Sequence, residues 1–302
     1  MSLRDRLLAL TIILAWGVNF VVIKVGLQGM PPLLLAGLRF LLVAFPAVLF
    51  IPRPQLPVKW LFLYGMTISF GQFALLFWAL SAGLSAGLAS LLLQVQAFVT
   101  ILLSSILFKE RIRKHNIIAM IVAIIGITLL ATAHEVGDTS ITWFTLALVL
   151  GAACSWALGN INNKVILSNY SVPTMSLIVW SAIFPMIAFF FTSYFIDGIN
   201  VILPALHNIA WHNIGALLYL SFIATIVGYG GWSYLLSRYQ TSLIAPLSLL
   251  VPVFGLMSAW LLLGETLSLQ QWIGAVIVAL GLLYNTFGAK LLPKTKTVIM
   301  EQ

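Results

Sequence analysis

The chain has 302 residues, 62% of them hydrophobic and only 7% charged, with a formal net charge of +8. A soluble domain carries roughly 25% charged residues, so a water-soluble globule is excluded and an all-α integral membrane protein is expected, with the lipid bilayer as solvent. The single cysteine, Cys154, excludes a disulfide framework or a cysteine metal cluster, and no metal or cofactor is expected.

A run of roughly 20 apolar residues crosses the hydrocarbon core as a helix, and ten such runs are predicted. The first, 7–25, is too long for a removed signal peptide and lacks its small-residue cleavage site. It ends in "WGVNFVVIK", where Trp16 and Asn19 stand within about 60° of each other and Lys24 lies about 140° from Asn19. The second run, 33–51, carries Arg39 about six residues inside and Pro46 near its end; the third is 60–82. In the fourth, 86–108, Gln96, Thr100 and Ser104 form a stripe, while Gln94 points the other way with Ser90. Glu110 follows it among Lys109, Arg111, Arg113 and Lys114, where a surface ion pair is expected. After the fifth run, 116–133, the sixth, 142–163, places Trp156, Asn160 and Asn163 on one face. The seventh, 174–196, contains Pro185. The eighth, 213–236, offers Ser221, Thr225, Gly228 and Trp232 on one face with Tyr229 beside them. The ninth, 243–263, holds Pro246 and Pro252 and is followed by Glu265; the tenth is 271–289.

Cytoplasmic loops collect Lys and Arg. With both termini cytoplasmic, 13 of the 15 basic residues fall inside, and the outer loops near 27–32, 83–85, 134–141, 197–212 and 264–270 hold none. They do hold Glu135, Asp138, Asp197 and Glu265. The positive charge is thus topological, and no nucleic-acid partner is needed to explain it. The two basic residues left over are Lys24 and Arg39. Lys24 is read either as an interfacial lysine whose ammonium snorkels to the surface or as a substrate contact. Arg39 lies roughly 9 Å deep, where an ionisable group costs about 2.5–3.5 kcal/mol on insertion scales. Two readings stand for it: a contact to a substrate carboxylate in an aqueous cavity, or helix-to-helix glue through backbone carbonyls.

The two halves repeat. "WGVNFVVIK" matches "WALGNINNK" (156–164), "LRFLLVAFP" matches "LIVWSAIFP", and "LFKERI" matches "LLGETL". "AIIGITLL" matches "IVALGLLY", aligning Gly126 with Gly281. Five runs per half is an odd number, so the second half must be inverted relative to the first, the plan of secondary transporters with a midplane substrate site. The expected units are 1–135, 139–290 and a cytoplasmic tail, 291–302. Trp16, Asn19, Gln94, Gln96, Trp156, Asn160, Tyr229 and Trp232 are candidate substrate contacts with Lys24 and Arg39. The alternative for each polar residue among them is interhelical hydrogen bonding. Pro46, Pro185, Pro246 and Pro252 are candidate gating positions, against the plainer reading of tolerated kinks. Lys164 obeys the positive-inside rule and is read as topological, unlike Lys24.

Ten runs in a five-plus-five repeat, with a glutamate closing the fourth and ninth, resemble an EamA-type drug/metabolite transporter over about residues 4–290. "WGVNFVVIKVGL", "MPPLLLAGLRF", "ASLLLQVQAF", "CSWALGN", "ATIVGYG" and "APLSLLVPV" are similar to the branch that exports cysteine and O-acetylserine. The resemblance implies an exporter of small amino-acid metabolites in the bacterial inner membrane. One departure is Lys109, which stands where the second half has Gly264 before its glutamate. Broad efflux of aromatic amino acids, drugs or other metabolites is the alternative within transport. An integral-membrane enzyme would need a nucleophile–base pair or metal cluster; no H-E-x-x-H, GxSxG or paired carboxylates are present. No Asp, Glu or His is expected mid-span, so no proton relay is legible.

Overall fold

A computed structural model of the chain describes residues 1–133 and 141–291. Inside hydrocarbon every backbone polar group must bond within its own segment, so apolar runs of this length become helices. Ten do: span 1 (Leu3–Gly26), span 2 (Pro32–Leu49), span 3 (Val58–Ser81), span 4 (Ala86–Phe108) and span 5 (Lys114–Ala131) make the first half. Span 6 (Trp143–Asn169), span 7 (Thr174–Ile196), span 8 (Trp211–Arg238), span 9 (Pro246–Leu263) and span 10 (Leu269–Gly288) make the second. Spans 1 and 6 start on side-chain caps: Ser2 accepts from the Asp5 N–H and Thr142 from the Thr145 N–H.

The two halves break their helices in corresponding places. Span 2 leaves the α-helix after Ala44, ahead of Pro46, and span 7 bends at Ala182, just before Pro185. Spans 3 and 8 each carry a π-helical segment, Gly65–Gly71 and Tyr219–Val227. Span 4 contains a 3₁₀ stretch, Leu93–Val95, and span 9 begins within another, Ala245–Leu250, with Pro246 in its first turn and Pro252 in the turn that follows. Packing repeats as well. Span 1 packs on spans 8 and 9, and span 6 packs on spans 3 and 4, while span 2 meets span 7 and span 5 meets span 10. Exchanging the halves maps this pattern onto itself.

Glycines set the closest approaches. A Cβ on Gly17 would sit 2.5 Å from Phe254 Cβ, joining spans 1 and 9, and one on Gly126 would sit 2.7 Å from Val278 Cγ2, joining spans 5 and 10. The outer faces are apolar: Ile117, Ile121, Ile124 and Ile125 of span 5 are all exposed, a surface suited to hydrocarbon rather than water.

Three sequence expectations change. Span 6 runs on to Asn169 rather than stopping at 163, because Ser168 and Asn169 bond back to the carbonyls of Lys164 and Val165. Lys164 is therefore a helical residue, not a loop one. The loop read as 197–212 contains a further helix, Ile199–His207, that carries Pro204 inside it. Glu135 and Asp138, counted in the orientation argument, lie outside the described residues, as do Lys294 and Lys296.

Candidate substrate site

Arg39 is the deepest charge in the bundle. It is 2% exposed, and its guanidinium lies 4.1 Å from the ring centre of Phe73 and 5.5 Å from that of Phe40. Its Nη2 donates to Thr225 Oγ1 at 3.0 Å. Thr225 is held for this: its hydroxyl donates 2.8 Å to the Leu220 carbonyl five residues back, the π-helical spacing, leaving an oxygen lone pair for Arg39. Ser221 Oγ donates to the Arg39 carbonyl at 3.1 Å, pinning span 2 to span 8. Nε and Nη1 have no partner among the described residues, and no carboxylate pairs with the guanidinium. A buried cation with two idle donors is costly, and idle donors of this kind are where an anionic ligand gains most.

Arg39 forms part of the wall of a small cavity. Its walls come from spans 2, 3, 7 and 8: Arg39 and Phe40, Tyr64, Ser69 and Phe73, Ile178 and Ser181, Thr225 and Tyr229. Room for water centres amounts to about 30 Å³, enough for one or two waters, since one needs roughly 10–15 Å³ on that measure. An amino acid enters only when the walls part. Both π segments reach this cavity, and each is braced from the opposite half. Trp16 Nε1 donates to the Ala224 carbonyl at 2.9 Å, and Ser155 Oγ donates to the Thr67 carbonyl at 2.7 Å. A π turn leaves carbonyls out of the regular ladder, and these two donors satisfy one in each half.

The sequence candidates take different places. Arg39 and Tyr229 line the cavity together. Trp16 stacks beside it, its ring centre 5.4 Å from Tyr229 and 5.2 Å from Trp232. Asn160 is committed elsewhere: its Nδ2 donates to Gln96 Oε1 at 2.7 Å and to Thr100 Oγ1 at 3.2 Å, tying span 6 to span 4. Trp156 packs half-buried against the central apolar cluster, and Gln94 Nε2 reaches the Ser248 carbonyl of span 9 at 3.4 Å. Asn19 is buried with Oδ1 unpartnered.

Lys24 turns away from the cavity. Its Nζ donates to Glu265 Oε1 at 2.8 Å, across 241 residues of chain. Burial works to raise the Glu265 pKa, but hydrogen bonds from Lys24, Ser85 and the Ala86 N–H outweigh it and hold the carboxyl below its usual value. Lys164, read as topological, has a partner too: it bonds Glu110 of the first half. Glu110 is thus paired to a distant residue rather than to its basic neighbours. The repeated Trp-to-Lys spacing marks a repeated contact after all.

Sequence reasoning placed no site residue on span 3. Tyr64, Ser69 and Phe73 line the cavity, and Gln72 beside them is buried with Oε1 unpartnered. The signal lay in "GMTISFGQF", where Thr67 and Ser69 interrupt an apolar run between two glycines and Gln72 follows the second.

Comparison with known proteins agrees with this architecture. The chain is 53% identical over 289 residues, covering 95% of it and 96% of the relative, to a "Probable amino-acid metabolite efflux pump" of Salmonella typhimurium. It is 50% identical over 291 residues to the protein of the same description in Escherichia coli K12, covering 96% and 97% of the two chains. One solved crystal structure shares the fold with a TM-score of 0.63, covering 96% of this chain and 99% of its own at 18% identity. Residues 6–132 and 143–287 each match the EamA-like transporter family, one match per half. With ten helices among the described residues fit to cross a membrane, the chain is a multi-pass transporter of the bacterial inner membrane, not an enzyme, and it belongs to the EamA-like transporter family.

Proposed function

We propose that this transporter exports small amino-acid metabolites of the cysteine and O-acetylserine type by alternating access, with the Lys164 end of the bundle facing the cytoplasm. The observation that carries the reading is Arg39: a buried guanidinium with two idle donors, in a cavity walled by two spans from each half. Its natural guest is a carboxylate. Among the described residues, the other buried, unpartnered side-chain polar atoms are acceptors, Asn19 Oδ1 and Gln72 Oε1, on the spans flanking span 2 in the chain. Acceptors suit an ammonium group; neither amide lines the cavity as it stands, so a zwitterion would reach them only as the walls part. The relatives described as efflux pumps for amino-acid metabolites support the same substrate class. Pro46, Pro185, Pro246 and Pro252 stand at the helix breaks of spans 2, 7 and 9, which suits a role in parting the walls.

The aromatic walls, Phe40, Tyr64, Phe73 and Tyr229, also favour a second reading, export of larger aromatic amino acids. Counterflow in proteoliposomes separates the two. Labelled cysteine and O-acetylserine are expected to exchange saturably, with tryptophan much slower and a cationic dye without a carboxylate not at all. Equal flux of all four overturns the proposal; flux of tryptophan alone selects the second reading.

A further inference from the structure

Glu110 and Glu265 occupy equivalent places. Each follows a left-handed residue that ends the fourth span of its half, Lys109 at φ 55° and Gly264 at φ 67°. A lysine adopting the conformation that suits glycine removes the one mismatch between the two segments. Each glutamate pairs with the first-span lysine of the opposite half: Lys24 with Glu265, Lys164 with Glu110. Span directions alternate, so the two pairs sit at opposite ends of the bundle, and both bridge the halves.

The two ends are not alike. The Glu265 side chain is 7% exposed and gathers four donors: Lys24 Nζ, Ser85 Oγ at 2.6 Å, and the N–H groups of Ala86 and Gly87 at 3.0 and 3.2 Å. Those last three belong to the start of span 4. The Glu110 side chain is 53% exposed and meets Lys164, itself 43% exposed. In sites related by an internal two-fold, unequal engagement marks one end clasped and the other loosened.

We propose that the two pairs are reciprocal latches of the transport cycle. Glu265, gripped by Lys24, seats on the start of span 4 when the Lys24 end is shut. Glu110, gripped by Lys164, seats on the start of span 9 when the Lys164 end is shut. Each opening then breaks one set of bonds and forms its counterpart, which keeps the two states close enough in free energy to interconvert. The inference rests on the alternating-access reading, and it gives Glu110, Glu265 and Lys164 roles that composition and topology do not assign them.

The test reads access rather than export. In a Cys154→Ser background, Ser69→Cys puts one thiol in the cavity, and its labelling rate by a membrane-impermeant maleimide is measured from each face of oriented vesicles. Glu265→Gln and Lys24→Gln are expected to raise the ratio of labelling from the Lys24 face to that from the Lys164 face by about fivefold or more, the low end of typical coupling. Glu110→Gln is expected to move the ratio the other way, and Lys24→Arg to leave it near the parent value. Labelling from both faces with no shift in any variant, or shifts of one sign at both ends, overturns the latches while alternating access stands. Labelling from one face only in every protein overturns both.

Discussion

Replacing Arg39 with methionine is expected to abolish tight substrate binding while leaving the fold about as stable as before. The side chain contributes a cation–π contact on Phe73, worth up to about 2 kcal/mol when desolvated, and one bond to Thr225, worth roughly 1.5–3 kcal/mol for a charged donor. Against the roughly 4 kcal/mol lost stands the removal of an unpaired buried cation, whose effective desolvation penalty is itself several kcal/mol. The two nearly cancel, and the melting temperature in detergent is expected to move by no more than about 3 °C, where 1 kcal/mol corresponds to roughly 2–4 °C in chains of 150–250 residues. Substrate has no such compensation. Losing one charge-assisted bond to a carboxylate costs about 1.5–3 kcal/mol, or roughly 10- to 150-fold in the half-saturation concentration for counterflow. Arg39→Lys keeps the charge without the planar fork and should fall between. The assay pairs counterflow of labelled O-acetylserine with thermal unfolding of the same preparations. An unchanged half-saturation with a melting temperature lowered by about 10 °C, several kcal/mol on this scale, would make Arg39 structural glue and refute the reasoning.

Two further outcomes are expected. Asn160→Leu removes two interhelical bonds, worth about 0.6 kcal/mol each in membranes, so stability should drop by about 1 kcal/mol while the half-saturation concentration changes less than twofold; a tenfold rise would return Asn160 to the substrate wall. Glu265 has its pKa lowered in the folded protein, so its contribution is complete above the ordinary carboxylate value of 4.5 and is lost only as pH falls through the lowered one. The difference in melting temperature between the parent and Glu265→Gln should therefore stay constant from pH 7 to pH 5, and a difference that shrinks across that range would mean the carboxylate is not held by its donors.

The spans were legible in the sequence because hydrocarbon imposes one length and one composition on everything that crosses it. The prolines were legible as breaks for a similar reason, since Pro46, Pro185, Pro246 and Pro252 each lack a donor and each stands at or beside a helix interruption. Arg39 stood out through cost alone. The partners did not. Nothing local to Lys24 points to Glu265, which reaches it only because span 1 packs on span 9. The π segments were equally hidden: an extra residue in a helical turn leaves no mark on hydropathy, and its position decides that Thr225 faces Arg39. Asn160 misled for the opposite reason. An amide on an apolar helix looks available until the neighbouring span shows that both its hydrogens are in use.

The seam between spans 5 and 10 has a consequence of a different kind. A Cβ on Gly274 would lie 2.9 Å from the Gly126 carbonyl oxygen, and one on Gly281 3.0 Å from that of Ala119, so backbone meets backbone with no side chain between. No larger residue fits there whatever the cargo. The walls around Arg39 can drift over generations as substrates change, one ring or hydroxyl at a time. The seam cannot follow: Gly126, Gly274 and Gly281 are held to glycine by packing, whatever the centre comes to bind.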